Sequence, residues 1–137
     1  MQLRLAAALR SQLADWAREG YPEETCGLLL GKANGSEVLV SEVTRARNLE
    51  IERVRDRFAL DPVDQLAADV KARAAGIEIV GVWHTHPDHP ARPSETDRAQ
   101  AWAAWSYVIL SVATTGVTDL RSWRLDATEF VPEEVLP

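Results

Sequence analysis

All three histidines of the chain lie within residues 84–89, and two of them, His84 and His86, are two residues apart. They follow an apolar, β-branched run at residues 77–82, which predicts a strand. Side chains two residues apart on a strand point to the same face, so the two imidazoles can bind one metal ion. Zinc prefers a tetrahedral set of nitrogen, sulfur and carboxylate ligands, and a catalytic site keeps one position for water. Asp97 is the natural third ligand, and we predict one zinc ion per chain.

A structural interpretation of the same residues is also possible. The sequence Ser-Glu-Thr-Asp at residues 94–97 matches a capping box, with Ser94 as the N-cap and Asp97 as the third helical residue. Paired histidines at a strand end can likewise cap backbone groups. A capping box explains neither the histidine pair nor the confinement of histidine to one loop, whereas a metal site explains both. His89, in a proline-rich loop, is expected to face solvent.

The motif His84-Thr85-His86-Pro87, followed by Ser94 and Asp97, resembles the signature of the JAMM metalloproteases, the catalytically competent MPN-domain family. Upstream, Glu24-Thr25-Cys26-Gly27 resembles the remaining element of that signature. The resemblance spans nearly the whole chain and implies a zinc metallopeptidase with His84, His86 and Asp97 as ligands. It also implies an α/β fold in which helices sandwich a mixed β-sheet, similar to that of the cytidine deaminases.

The residue that handles protons is not settled by strand geometry, because Glu23 and Glu24 are adjacent and point to opposite faces of an extended chain. The resemblance selects Glu24 as the group that takes a proton from water and later gives it to the leaving amine. It also implies that Ser94 donates a hydrogen bond to the oxyanion of the tetrahedral intermediate. Cys26 is expected to be a small core residue, and Thr85 to be structural.

Composition restricts the class of protein. The chain has 137 residues, of which 46% are hydrophobic and 26% charged, with a formal net charge of −6. These values predict one soluble globular domain over residues 1–137. The acidic balance argues against a nucleic-acid or anionic-membrane surface. One cysteine excludes an internal disulfide, a cysteine-rich zinc site and the Pro-Cys-x-x-Cys element of zinc nucleoside deaminases. With no signal or membrane-spanning segment, we expect a cytoplasmic protein.

The remaining pattern predicts the elements that position these residues. The first half contains a short strand at Leu3 and Leu5, a helix ending at Gly20, and strands at 26–30 and 37–44 around the Asn34-Gly35 turn. A helix with Asp61 as N-cap and Pro62 as its first residue then precedes the histidine strand, a helix at 94–105, and strands at 107–112, 120–125 and 128–131. In the helix after Asp61, an apolar face is predicted to pack on the sheet; it comprises Val63, Leu66, Ala67, Val70 and Ala74. Trp102 and Trp105 are expected in the core.

The resemblance implies cleavage after the C-terminal Gly-Gly of a ubiquitin-like protein, whose tail adds as a strand beside an exposed sheet edge. The short chain is similar to compact prokaryotic members of the family, which favours a sulfur-carrier protein as substrate. The alternatives are a desampylase-like or deubiquitinase-like isopeptidase, and a non-catalytic MPN scaffold that binds partners. The oligomeric state stays open. Residues 45–57 carry five arginines, which we expect either to be solvated or to dock the folded body of the carrier.

Overall fold

The computed structural model describes residues 1–137 and contains seven strands and three helices. In chain order they are β1 (Gln2–Arg4), α1 (Ala7–Gly20), β2 (Cys26–Asn34), β3 (Glu37–Ala46), α2 (Pro62–Ala74), β4 (Glu78–Pro87), α3 (Glu95–Ala99), β5 (Ser106–Ala113), β6 (Gly116–Asp126) and β7 (Glu129–Leu136). The predicted order of elements is confirmed. None of the three helices combines the length and the apolar character needed to cross a membrane.

The seven strands form one mixed sheet in the order β1-β3-β2-β4-β5-β6-β7, and β7 also pairs with β1, so the sheet closes into a barrel. β1 is parallel to β3 and β7, and β4 is parallel to β5, whereas the other pairs are antiparallel. Because of this closure, the exposed sheet edge expected for a bound tail can lie only where a strand extends past its partner. Beyond Leu39, β3 has a strand partner only on the side of β2.

The two longer helices cover different sides of the curled sheet. α1 buries Leu13 in a cluster that includes Trp83 of β4, and Trp16 stacks on Trp83 with ring centroids 5.7 Å apart. α2 packs on the other cluster through Ala68 and Ala72. Because each face of the sheet carries buried apolar side chains, both need a helix against them. The predicted α/β architecture, a mixed sheet sandwiched by helices, is confirmed.

The contact face predicted for α2 is wrong. All five residues of the predicted face are exposed, among them Val63, Leu66 and Val70, and the buried residues are Ala68 and Ala72. Small alanine side chains four residues apart let the helix lie close to the sheet, which rotates the larger apolar side chains toward solvent. The N-cap itself is confirmed, since the Asp61 side chain accepts the N–H of Val63 at 2.9 Å.

α3 is much shorter than predicted, because it ends at Ala99 rather than near Trp105. The N–H of Trp102 donates to the hydroxyl of Tyr107 at 2.6 Å instead of continuing the helical ladder. The chain therefore turns into β5 soon after α3. Trp102 is 68% exposed, so its predicted place in the core is wrong, whereas Trp105 is half-buried against the α2 side of the sheet.

The pairing of β3 with β2 is irregular at one point. Leu30 pairs with Glu42 and the next residue, Gly31, pairs with Val40, so Ser41 is skipped as a bulge. The bulge lets Val40 and Val43 both point to the core although they are three residues apart. The two C-terminal strands predicted around Asp126-Ala127 are present and longer than expected.

Candidate active site

β4 carries both histidines toward the α2 side of the sheet. Counting along the strand from Val82, which lies in the cluster under α2, His84 and His86 occupy the same face. Both side chains are buried, and their Nε2 atoms are 3.1 Å apart. Phe58 stacks on the ring of His84 with centroids 4.4 Å apart. The strand thus presents two imidazole nitrogens to one point.

Asp97 reaches the same point from the first turn of α3. Its Oδ2 is 3.3 Å from Nε2 of His84 and 3.1 Å from Nε2 of His86. Burial raises the pKa of Asp97, but the charge of His84 and the hydrogen bonds from both imidazoles and from the Ser94 N–H outweigh it, so the pKa lies well below its usual value. Asp97 is therefore ionised beside the two imidazoles.

The three donor atoms fit a zinc ion in spacing and in chemistry. Zinc bonds of about 2.0–2.2 Å in a tetrahedron place neighbouring ligand atoms roughly 3.3–3.6 Å apart, close to the 3.1–3.3 Å between these three atoms. The Nδ1 of His86 lies 2.9 Å from the carbonyl oxygen of Pro90. A carbonyl only accepts, so Nδ1 carries a proton, and Nε2 is the atom that would bind a metal in place of a proton.

Glu24 is the fourth side chain at this point. One of its carboxylate oxygens and one ring nitrogen from each of His84 and His86 lie within 4.8 Å of one another. In the antiparallel register Cys26 pairs with His84, and Glu24, two residues before Cys26, occupies the same face. Glu23 is exposed. The structure therefore brings Glu24, rather than Glu23, to the histidines.

The environment of Glu24 favours a proton on its carboxyl group. Its Oε1 is buried and has no hydrogen-bond partner. Burial raises the pKa of Glu24 to about 8, although the charge of His86 lowers it, and the charge of Asp97 raises it further. A carboxyl group with an unpartnered buried oxygen beside candidate metal ligands is suited to accept and donate a proton.

Ser94 forms the capping box and also faces the site. Its Oγ accepts the N–H of Asp97 at 3.1 Å, and its own N–H donates to Oδ2 of Asp97 at 2.9 Å. Since the cap uses only a lone pair of Oγ, the hydroxyl hydrogen remains free to donate elsewhere. Ser94 lines a cavity of about 380 Å³ together with Glu24 and His86. The two predicted roles of Ser94 are therefore compatible.

The residues expected to be structural or solvated are placed as follows. Cys26 is buried, and burial raises the pKa of its thiol to about 12, so it is not a thiolate nucleophile. Thr85 is buried and its Oγ1 accepts the N–H of Thr25 at 2.9 Å. His89 is exposed. These placements match the expectations from the sequence.

The arginines of residues 45–57 do not form one free basic strip. Arg45, Arg47 and Arg53 make ion pairs with Glu19, Asp61 and Asp56. Arg57 lines the cavity beside Glu24, as does Arg92 from the loop after β4. Sequence reasoning did not assign Arg57, Arg92 or Phe58 to the site, because no spacing in the sequence connects them with the histidines.

Comparisons with known proteins and protein families identify relatives of the chain. Residues 6–126 match the model described as prokaryotic homologs of the JAB domain.

Two proteins named desampylase are similar to the chain. That of Haloferax volcanii is 34% identical over 115 residues, which are 80% of this chain and 81% of the relative. That of Pyrococcus furiosus is 28% identical over 116 residues, or 80% of this chain and 72% of the relative.

Solved structures show the same fold. A solution structure from Desulfitobacterium hafniense has a TM-score of 0.86 and 30% identity, covering 99% of this chain and 92% of that one. One from Salinibacter ruber has a TM-score of 0.76 and 36% identity, covering 99% and 90%. A JAB1/MPN domain protein from Archaeoglobus fulgidus, 18% identical, has a TM-score of 0.58 with full coverage of both chains.

The fold and the four converging side chains define a domain of the JAB1/MPN class. More specifically, the chain belongs to the family of prokaryotic homologs of the JAB domain, and thus to the compact prokaryotic members of the JAMM/MPN family.

Proposed function

We propose that this protein is a zinc-dependent hydrolase that cleaves the amide bond after the C-terminal Gly-Gly of a ubiquitin-like sulfur-carrier protein. The observation that carries the proposal is the convergence of Glu24 on the cluster formed by His84, His86 and Asp97. The two relatives named desampylase support the wider activity, which is isopeptidase action on a ubiquitin-like protein.

His84, His86 and Asp97 would hold one zinc ion per chain. When bound, zinc supplies Lewis acidity, which lowers the pKa of water toward about 7 and polarises an amide carbonyl. Asp97 is held for this task by the Ser94 N–H, and His86 by the Pro90 carbonyl. Such supporting hydrogen bonds fix the ligand atoms before the ion arrives.

Glu24 would act on protons. The positive charge of a bound zinc ion would favour the ionised form of Glu24. Its buried Oε1 would then accept the proton of the attacking water, and the carboxyl group would transfer that proton to the nitrogen of the leaving amine. The same atom can serve both steps because it has no competing hydrogen bond within the protein. Burial keeps the carboxyl group away from bulk solvent, so the proton is retained between the two steps.

Ser94 would stabilise the oxyanion that forms when water attacks the carbonyl carbon. Its Oγ is held in place by the Asp97 N–H, and its hydroxyl hydrogen remains to be donated. A donor fixed before the reaction stabilises the developing charge without further reorganisation.

The carrier tail would enter on the other side of the histidines, where a narrow cavity of about 130 Å³ lies beside His84, Asp97 and Trp102. Six of its ten lining residues are hydrophobic. Glycine residues suit this passage because they have no side chain to collide with its walls.

The test is to incubate the zinc-loaded protein with Gly-Gly-tailed carriers from the same genome, each bearing a C-terminal amino acid, and to weigh the products by mass spectrometry. We expect the mass of the carrier to fall by that of its adduct. Chelation and Glu24→Gln should each abolish cleavage. Glu23→Gln is the matched control, because Glu23 is adjacent and exposed. If Glu23→Gln is inactive and Glu24→Gln is active, the assignment of the proton-handling group is reversed.

A second candidate is a desampylase-like isopeptidase that removes a ubiquitin-like modifier from a lysine side chain, which the two relatives named desampylase favour. Conjugates linked through lysine and carriers bearing a terminal amino acid, tested side by side, separate the two functions. Binding of carriers with cleavage of neither substrate would instead support a non-catalytic scaffold.

A further inference from the structure

The cavity beside Glu24, His86 and Ser94 has an unusual lining. It measures about 380 Å³ and none of its eleven lining residues is hydrophobic. Three of them are arginines, Arg53, Arg57 and Arg92. The same lining contains three carboxyl groups, those of Glu24, Asp56 and Glu95, so the partners of each arginine decide which positive charges are free.

Two of these arginines are available to a ligand. Arg53 is bound to Asp56, and Glu95, another lining residue, is bound to Arg98. The guanidinium groups of Arg57 and Arg92 make no ion pair and no hydrogen bond with the protein. Ten other arginines or lysines of the chain form ion pairs with carboxylates. The cavity therefore offers two uncompensated guanidinium groups.

The position of Glu24 indicates which part of the substrate occupies this cavity. A general acid must lie within hydrogen-bond reach of the leaving nitrogen. Glu24 lines the polar cavity and does not line the narrow apolar one beside His84 and Asp97. The leaving amine therefore lies on the side of Arg57 and Arg92, and the glycine tail lies on the other.

We propose that Arg57 and Arg92 bind the α-carboxylate of the leaving amino acid, so that the enzyme selects carrier adducts that end in a free carboxylate. This inference rests on the proposed hydrolase function and adds a substrate class to it. A guanidinium group binds a carboxylate through paired, charge-assisted hydrogen bonds. The cavity is within the size range of small-ligand sites and has room for one amino acid. The side chain of a lysine in a folded protein would bring no carboxylate to these arginines.

The test compares two substrates that differ in one group. One is the carrier with cysteine attached after its Gly-Gly, and the other carries cysteinamide, which keeps the amide bond and loses the negative charge. Hydrogen bonds to charged groups correspond to roughly a tenfold to hundredfold difference in binding. We therefore expect the zinc-loaded wild-type protein to cleave the acid with a kcat/KM roughly ten to a hundred times that for the amide.

Variants assign the effect to the two arginines. Arg57→Gln and Arg92→Gln should each lower kcat/KM for the acid roughly tenfold or more and leave that for the amide within about threefold. The matched control is Arg55→Gln, which removes the same charge from an exposed residue of the same segment that does not line the cavity. It should affect acid and amide alike. Melting temperature and zinc content are measured for each variant. If one arginine variant fails to fold, the kinetics of the other still test the carboxylate site.

The possible outcomes are distinct. If the wild-type protein cleaves acid and amide at equal rates, or if both variants lose the two activities in parallel, the carboxylate site is refuted and the hydrolase function stands. If the wild-type protein cleaves carriers joined to a lysine side chain faster than the acid, the proposed substrate class is also refuted. If it cleaves none of the substrates, the proposed function itself fails, and this inference fails with it.

Discussion

Three substitutions of Ser94 can separate the structural role of its hydroxyl group from its proposed catalytic role. Ser94→Ala removes both the lone pair that caps α3 and the hydrogen that would bind the oxyanion. Ser94→Gly also removes the hydroxyl, but glycine is a tolerable N-cap and loses only a few tenths of a kcal/mol. Ser94→Thr retains a hydroxyl that can cap and donate, and it is the control.

The expected magnitudes follow from the contacts of Ser94. The cap is one hydrogen bond of 3.1 Å to the Asp97 N–H in a partly exposed helix of five residues. Its loss should destabilise the protein by about 0.5–1 kcal/mol, the lower part of the measured range for N-caps. For a chain of this size, the melting temperature then falls by roughly 2–5 °C. Loss of an oxyanion donor lowers kcat by about a hundredfold to a thousandfold.

The assay measures kcat and KM on a carrier substrate, zinc content and melting temperature for all three variants. Ser94→Ala and Ser94→Gly should lose the same large factor in kcat, although their stabilities differ, and Ser94→Thr should stay near wild type. Zinc content should not change, because the backbone N–H of Ser94, rather than its side chain, contacts Oδ2 of Asp97. A kcat within about threefold of wild type in the Ala and Gly variants would refute the oxyanion role.

Three other predictions concern the ligands, the buried acid and the sheet. His86→Ala and Asp97→Ala should each lower the zinc content measured by metal analysis to well below one ion per chain, because two remaining ligands rarely hold the ion; full occupancy in both would remove this site from consideration. In the metal-free protein, the pKa of Glu24 is about 8 in the folded state and about 4.5 in the unfolded state. Between these pH values the carboxyl group of Glu24 is ionised only in the unfolded state, so the stability of the fold decreases as pH rises from about 4.5 to about 8. Compared with the Glu24→Gln variant, the wild-type protein should lose up to about 1.4 kcal/mol of unfolding free energy per pH unit in that window. If denaturation curves give the same difference in stability between the two proteins at pH 5 and at pH 8, the prediction is contradicted. Gly27→Ala should destabilise the protein by about 3 kcal/mol or more in urea denaturation, since a Cβ there would lie 1.9 Å from the carbonyl oxygen of Thr44; a midpoint like that of wild type would show that the strands can separate locally.

The parts of the site that lie close together in sequence could be predicted from it. The period of two in a strand places His84 and His86 on one face, and the spacing of a capping box places Asp97 in the first turn of a helix. Both are local rules, and the structure brings the three side chains together. The choice between Glu23 and Glu24 required the pairing of β2 with β4, which strand-by-strand reasoning does not supply.

The errors have the same physical origin, because each concerns a contact with another element of the fold. The side of α2 that faces the sheet depends on how closely the helix can approach, and Ala68 and Ala72 allow an approach that larger side chains would prevent. Likewise, α3 ends where the hydroxyl of Tyr107 on β5 takes the N–H of Trp102. Hydrophobic periodicity shows which residues of a segment are apolar. It does not show which face of the segment packs against the neighbouring element.

Asp97 shows why the structural and the metal-binding interpretations of residues 94–97 do not compete. In the capping box its carboxylate accepts the N–H of Ser94, and this bond fixes the oxygen that lies near both imidazoles. A carboxylate oxygen has more than one lone pair, so Oδ2 of Asp97 can accept the N–H of Ser94 and still have a lone pair for a metal ion. Without this bond from the backbone N–H of Ser94, Asp97 would have to be ordered when the ion binds, and the entropy of that ordering would weaken binding. The short helix α3 therefore supports the proposed ligand Asp97, and its capping box is part of the candidate site.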